Sequence, residues 1–354
     1  MVETWRLLDT GLASATRNVA LDRALLEARA ADEAPGTLRF MRYTPSVLLG
    51  CRQSAAQELH LAACAAQALA LQRRLTGGGA RLVDERQLGW ALYLHRRDVA
   101  CAGAQDLVRR VGHALATALT ALGMAARFRP RGDIAVEGRT LCTLTHAADG
   151  EALLIQGVLF GSLDYDALAR VLRVPGGLEG AASAEALRER MTDLREALGG
   201  RPDLAAVRRN LVEAFESAFD VELREGDLGL SENARYARAG AEIDTAGWAN
   251  LVCGASADMV YAEAQPRTGA GVLRIGLKYE RASRVLRQVW FSGVPAMTDP
   301  ELRDLEAVLA DCASERLGRT LERFFTERGG VPPGLDCAGV LAAIRLALGE
   351  PLAA

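Results

Sequence analysis

Three consecutive glycines, Gly77, Gly78 and Gly79, follow two arginines and a threonine in Arg73-Arg74-Leu75-Thr76-Gly77-Gly78-Gly79-Ala80, and no other stretch constrains the chain as much. Glycine loses more backbone entropy on ordering than any other residue, so a triplet opposes helix and strand interiors and marks a loop. The triplet also lets the backbone take positive φ and approach a ligand closely, with exposed N–H groups forming an anion-binding nest. Arg74 adds a forked cationic donor set and Thr76 a hydroxyl. No Lys-Ser/Thr follows, so the run is not a P-loop, and its spacing is not Gly-x-Gly-x-x-Gly. Its chemistry suits a phosphate or a carboxylate. A plain flexible turn between helix and strand would use the same residues.

The periodicity around this loop reads as α+β. Ala20, Leu21, Ala24, Leu25 and Ala28 recur at helical spacing over Asn18 to about Ala31. Thr37–Arg42 and Ser46–Gly50 are short β-prone runs joined by Tyr43-Thr44-Pro45, and residues 57–70 read as a second helix. Leu88–His95 alternates like a half-buried strand, and an amphipathic helix spans about 104–122. Asp133–Thr145 reads as a hairpin turning at Glu137-Gly138, followed by a strand at Glu151–Phe160. Strands follow one another without a helix between each pair, which predicts a mixed or antiparallel sheet. Arg173–Ser183 reads as a loop and 203–219 as a helix, while 225–250 is polar and irregular. Beyond it, Gly271–Tyr279 and Val285–Ser292 look like paired strands. Thr298-Asp-Pro-Glu301 offers a capping box and an N1 proline for a helix to about Leu317, and a last helix covers 336–348. With 354 residues the chain is long for one core. We expect a catalytic-type domain at 1–224, a linker region at 225–268 and a small accessory domain at 269–354.

Charge and composition exclude other classes. A net charge of -3 argues against a partner bound through a basic surface, so no nucleic acid is expected. No apolar run approaches the roughly 20 residues needed to span a bilayer, so no membrane is expected either. The first residues lack a signal-peptide pattern, and a cytoplasmic protein is the expectation. The seven cysteines are scattered without a Cys-x-x-Cys pair, which supports neither a zinc site nor a disulfide scaffold. Of the 42 basic residues, Lys278 is the sole lysine. Arginine does not replace lysine where chemistry needs a compact point charge or an amine that gives up its proton.

Several stretches resemble the lipoate–protein ligases and their relatives, the biotin/lipoate ligase and octanoyltransferase superfamily, in order and at compatible spacing. Asn18-Val-Ala-Leu-Asp22 is similar to the family's opening helix, and Pro45-Ser-Val-Leu-Leu-Gly50 with Cys51-Arg52-Gln53 to its proline-serine-valine-isoleucine-glycine strand. Arg73–Ala80 resembles the arginine-arginine-x-serine-triple-glycine-alanine loop, and Asp84 falls on the aspartate beyond it. Arg131-Gly-Asp133-Ile with Gly138-Arg139, Gln156-Gly157-Val-Leu, and Met191-Thr-Asp-Leu194 resemble further family segments, and 269–348 resembles the accessory domain. The resemblance implies a biotin/lipoate-ligase-like catalytic domain with a mixed sheet flanked by helices, plus a C-terminal α+β accessory domain. It implies ATP-dependent activation of lipoate, or octanoate, to an acyl-adenylate. The acyl group then passes to a lysine of a carrier, an apo lipoyl domain or a glycine-cleavage H-like protein. Under it Arg74, Thr76, Gly77, Gly78 and Gly79 would line the lipoyl and phosphate pocket, with Asp84 nearby, and Ser46–Gly50 would wall the acyl tunnel. Asp133 would sit by ATP and its Mg²⁺, and Gly157 would let the backbone pass close to the ligand.

The pattern departs from the family at one chemically decisive position. There, Gly-Arg precedes a lysine that holds the carboxylate and acyl phosphate; here Gly138-Arg139 precedes Thr140. Losing a cation opposite developing negative charge costs several kcal/mol, or at least about two orders of magnitude in rate. Val83, Gly132 and Gln87 replace a family histidine and two asparagines. Three readings stay open. Arg139, Arg74 or Arg81 supplies the charge in an active ligase; Cys142, with its pKa lowered by Arg139 or His146, forms a thioester in a transferase; or the chain is a ligase-fold subunit that binds lipoyl carriers without catalysis.

Overall fold

The computed structural model describes residues 2–51, 53–99, 104–129, 132–174, 180–250, 259–268, 271–292, 297, 299–330 and 337–349. Arg52, Arg131, Thr298 and much of the loop expected at 173–183 lie outside them. The described residues divide into two compact units. One comprises 1–136, 140–164 and 191–254; the other comprises 137–139, 165–190 and 255–354.

The first unit is built on β1 (Glu3–Ala13), α1 (Ala15–Ala30), β2 (Thr37–Tyr43), β3 (Ser46–Leu49), α2 (Ala55–Glu58), α3 (Leu61–Ala66), β4 (Ala70–Arg73), β5 (Arg81–Val83), β6 (Leu88–His95) and α4 (Ala104–Ala121). It continues with β7 (Ala126–Arg129), β8 (Asp133–Val136), β9 (Arg139–Asp149) and β10 (Ala152–Leu159). Helices α5 (Tyr165–Val171) and α6 (Gly180–Arg188) belong to the second unit, and α7 (Leu194–Ala197), α8 (Leu204–Phe219), β11 (Val221–Glu225), α9 (Leu230–Ile243) and α10 (Ala246–Asn250) return to the first. Eight strands form a mixed sheet in the order β11-β1-β2-β6-β10-β9-β8-β7, parallel where β1 meets β2 and β11 and antiparallel from β2 through β6 and β10 to β9. A second sheet, β4-β3-β5, carries the glycine loop between β4 and β5. The fold is α+β with mixed sheets flanked by helices.

Local chemistry explains most of these elements. Ser14 caps α1 by accepting from the N–H of Arg17. Glu137 and Gly138 both have positive φ (50° and 81°), the conformation that a two-residue hairpin turn demands. Amphipathic α4 and α8 cover one face of the large sheet through Leu107, Val111, Leu115, Val207, Leu211 and Phe215. The other face packs α1 through Leu21 and Leu25 with Met41, Tyr93 and Leu154. Because both faces are covered, β6 is buried nearly throughout instead of half-buried as its alternation suggested.

Two further expectations change. The helix expected over 57–70 breaks into α2 and α3. Ala68 takes φ +49°, and the chain turns into β4, which pairs in parallel with β3. The segment 225–250, expected to be irregular, holds α9, which packs on α1. Its apolar stripe is narrow, Ala239 and Ile243 against Val19 and Ala20. Ion pairs flank it: Arg6 of β1 with Glu232, and, to α1, Glu242 with Arg23 and Arg235 and Arg238 with Glu27. Glu232 also accepts from the N–H of Gly229 at 2.6 Å, starting the helix.

In the second unit, antiparallel strands Met259–Ala264, Arg274–Glu280, Val285–Ser292 and Cys312–Ala313 form one sheet. Helices Asp299–Leu309, Leu317–Glu327 and Cys337–Leu348 pack with it around Leu277, Phe291, Leu305, Leu321 and Phe325. The single helix expected to Leu317 stops at Leu309, because Asp311 turns into the left-handed region and a short strand intervenes.

Candidate active site

The glycine loop is fastened by its two arginines, each with a separate set of partners. Arg73 donates from one terminal nitrogen to the carbonyls of Gly50 (2.7 Å) and Cys51 (3.3 Å) and from the other to Ala249 (3.0 Å). Arg74 donates to the carbonyls of Leu48 (2.7 Å), Gly77 (2.9 Å) and Gly79 (3.0 Å). Drawing those two glycine carbonyls inward turns the N–H groups of Gly78 and Ala80 outward, because the planar trans peptide opposes C=O and N–H. Gly78 has φ +86°, and a β-carbon there would lie 2.7 Å from the Thr145 methyl; Gly77 and Gly79 face open space. The outer face of the loop is therefore bare backbone, as an anion nest requires.

Beneath the loop, Thr76 is fully buried, 3.0 Å from the Thr145 hydroxyl, and accepts from the Gln156 amide at 2.7 Å. Gln156 and Thr145 are register partners on β10 and β9, so the loop is tied to the centre of the large sheet. Arg74 and Arg81 are both buried, and burial pulls both guanidiniums below the usual arginine range; the Arg81 charge adds to the effect on Arg74.

Asp84 is held by its own turn. Its carboxylate accepts from the N–H and the guanidinium of Arg86, and its N–H donates to Gln87. At Gly157 a β-carbon would lie 2.6 Å from the Trp90 ring, so the glycine makes room for the indole. Ser46 donates to the Thr44 carbonyl and is fully buried.

Around position 140 a cluster forms that the sequence did not announce. Arg129 on β7 pairs with the Asp133 carboxylate on β8 and donates to the Thr140 hydroxyl at 2.8 Å. Thr140 in turn donates to Asp133 at 2.9 Å. The side chains of Arg129 and Asp133 are only 6% and 16% exposed, so a cation does stand at Thr140, but it is neutralised. Arg139 lies within 4.0 Å of Glu137. The Mg²⁺ expected at Asp133 does not fit this arrangement. Its carboxylate already carries the Arg129 guanidinium and the Thr140 hydroxyl.

Cys142 is a core residue. It is fully buried among the residues packed on α4 and α8, and burial pushes its thiol up to about 12. The nearby Arg81 charge acts in the opposite direction but does not offset this. His146 is exposed. At pH 8 roughly one thiol in ten thousand would be ionised, and none is reachable. Iodoacetamide labelling of the native chain at pH 8, read by peptide mass mapping, should leave Cys142 unmodified while half-buried Cys51 reacts; early labelling of Cys142 would contradict its place in the core.

Several residues of the site were missed in the sequence. A polar Gln156 on the otherwise apolar strand Ala152–Leu159 was a legible signal. Arg129 and Trp248, whose indole N–H donates to the Arg73 carbonyl at 3.1 Å, gave none.

The chain is 30% identical to the octanoyltransferase LipM of Moorella thermoacetica over 274 residues, covering 70% of this chain and 97% of that protein. Its fold is similar to a structure described as a bipartite lipoate protein ligase and its E2 lipoyl domain from Thermoplasma acidophilum, with TM-score 0.63, 23% identity, and 72% and 98% of the two chains covered. It is also similar to a lipoate-protein ligase A bound with ATP, with TM-score 0.61, 23% identity, and 72% and 100% covered. Residues 14–216 match the lipoyl protein ligase A/B catalytic domain, and the chain belongs to that family.

Proposed function

We propose that this chain activates lipoate or octanoate with ATP as an acyl-adenylate and passes the acyl group to a lysine of a lipoyl carrier domain. The observation that carries the reading is the glycine loop: buried Arg74 holds the Gly77 and Gly79 carbonyls inward, which turns the N–H groups of Gly78 and Ala80 outward, next to the apolar cluster of Leu48, Val83 and Val158. An acyl phosphate needs that combination of anion donors and an apolar wall. In the transfer step the carrier amine attacks the acyl carbon, the C–O bond to phosphate breaks with its electron pair leaving on AMP, and the amine releases a proton. The outward N–H groups are one set of donors this chain offers to an anion. The relatives include both an octanoyltransferase and an ATP-bound ligase, and the burial of Cys142 favours the ligase chemistry over a thioester on that residue.

A second reading, a ligase-fold subunit that binds acylated carriers without catalysis, is favoured by the closed Arg129–Asp133–Thr140 cluster. One assay separates them. The protein is mixed with ATP–Mg²⁺, lipoate or octanoate, and either an apo lipoyl domain or an H-like carrier, and pyrophosphate release and carrier mass are followed. The proposal predicts pyrophosphate and one added acyl group. Acylation only from an octanoyl-carrier would point to transferase chemistry, and silence with every donor and carrier would leave the non-catalytic subunit.

A further inference from the structure

Among the described residues, two buried cations under the glycine loop, Arg74 and Arg81, have no carboxylate partner. Arg74 and Arg81 are 3% and 7% exposed, and among the described residues the hydrogen-bond acceptors of both are backbone carbonyls. Their capacities differ. Arg74 commits both terminal nitrogens to Leu48, Gly77 and Gly79 and so serves the loop. Arg81 makes a single bond, 3.3 Å to the Thr143 carbonyl, out of the five donors a guanidinium carries. The Thr143 hydroxyl is itself buried without a partner. Thr143 lies two residues from Thr145 on β9, so both point to the face that meets Thr76 of the loop. Tyr43 is close enough to feel both arginine charges, and it belongs to the apolar cluster with Leu48, Val83 and Val158.

Burying an arginine without a counter-ion is costly, and keeping two in one place calls for an anion that arrives from outside. Arg129 does not meet this need, since Asp133 already neutralises it. We propose that Arg81 binds the anionic head of the substrate, the carboxylate of an acyl acid or the phosphate of its acyl-phosphate form. The Thr143 hydroxyl is a second donor, and the apolar cluster receives the tail. Arg81 thereby provides the positive charge that Thr140 does not. This deepens the acyl-group reading above and rests on it.

The test is calorimetric titration of the full chain with octanoate, octyl phosphate and octanamide. The wild type should bind the two anions and prefer them to the neutral amide by about thirtyfold or more. Arg81→Gln should weaken both anions by about thirty- to a hundredfold and leave octanamide within about threefold, with Arg81→Lys recovering part of the loss. The ratio of octanoate to octyl phosphate identifies which head the site takes. A merely structural arginine would lower the unfolding midpoint when removed, whereas a site arginine without a counter-ion should leave it unchanged or raised. Arg81→Met is the neutral variant to use if Arg81→Gln does not fold. Anion binding unchanged in the neutral variant, or an equal loss of octanamide, overturns the proposal, and so does a wild type indifferent to both anions. Anion binding without acyl transfer to any carrier instead overturns the catalytic reading and leaves the anion site standing.

Discussion

A Gly50→Ala variant should lose affinity for lipoate or octanoate by about a hundredfold or more while the chain remains folded. Gly50 ends the β3 segment at the point where the glycine loop crosses it. A β-carbon there would lie 2.1 Å from the Gly78 carbonyl oxygen and 3.1 Å from the Gly77 carbonyl carbon. Both are backbone atoms that cannot rotate aside, so one of the two segments has to shift by about an ångström, a displacement that costs roughly two orders of magnitude where groups must be aligned. The loop is the element that yields, because β3 is hydrogen-bonded on both sides by β4 and β5. Its carbonyls at Gly77 and Gly79 would then leave Arg74, releasing the peptide orientation that turns the N–H groups outward. The overpacking itself should destabilise by about 1–3 kcal/mol. Gly79→Ala, whose β-carbon would meet open space, should leave stability within about 0.5 kcal/mol. Titration with octanoate and chemical denaturation of the two variants check this; normal binding in Gly50→Ala would show that the loop's position is not what holds the ligand.

The largest loss of stability should come from Asp22→Ala, about 3–5 kcal/mol in the first unit. Asp22 on α1 is 2% exposed and accepts from Arg39 at 2.6 Å and from the Tyr93 hydroxyl. Arg39, 1% exposed, also donates to Asn18 on α1 and to Thr10 on β1. The group joins α1 to β1, β2 and β6 under the apolar layer. Burial raises the Asp22 carboxyl, and the Arg39 charge and the hydroxyl hydrogen bond counter it. Removing the carboxylate strands a buried guanidinium, and that, more than the lost attraction, sets the cost. The double variant Asp22→Ala/Arg39→Met removes both charges and should recover most of the loss, which denaturant titration of the three proteins measures. If the double variant were as unstable as the single one, the isolated charge would not be the cause.

This network gives physical content to the opening helix motif. Asn18 and Asp22 lie four residues apart on one helix face, which is visible in the sequence, but their partner Arg39 is a strand residue that periodicity alone assigns to no particular neighbour. The same division runs through the site. The glycine loop, the Glu137-Gly138 turn and the amphipathic α4 are local patterns, set by backbone freedom and by spacing, and they were legible. Helix α9 was not, because its apolar stripe is narrow and the ion pairs of Arg235, Arg238 and Glu242 with α1 join segments far apart in the chain. Cys142 read as a possible nucleophile from its distance along the chain to position 140. Only the packing of α4 and α8 over β9 makes it an inert core thiol.

Motif resemblance pointed to the lipoate-ligase family; beyond that, the sequence by itself determined that the fold is α+β, that a glycine loop lies at residues 76–80, and that no lysine stands at position 140. These follow from residue identity, period and turn chemistry, which act over a few residues. Tertiary structure alone decided that Arg129 rather than Arg139 meets Thr140, that Arg81 is left with donors to spare, and that Gly157 accommodates Trp90. Those outcomes depend on strand order and on which face each strand presents, and both are set by contacts between segments far apart in the chain.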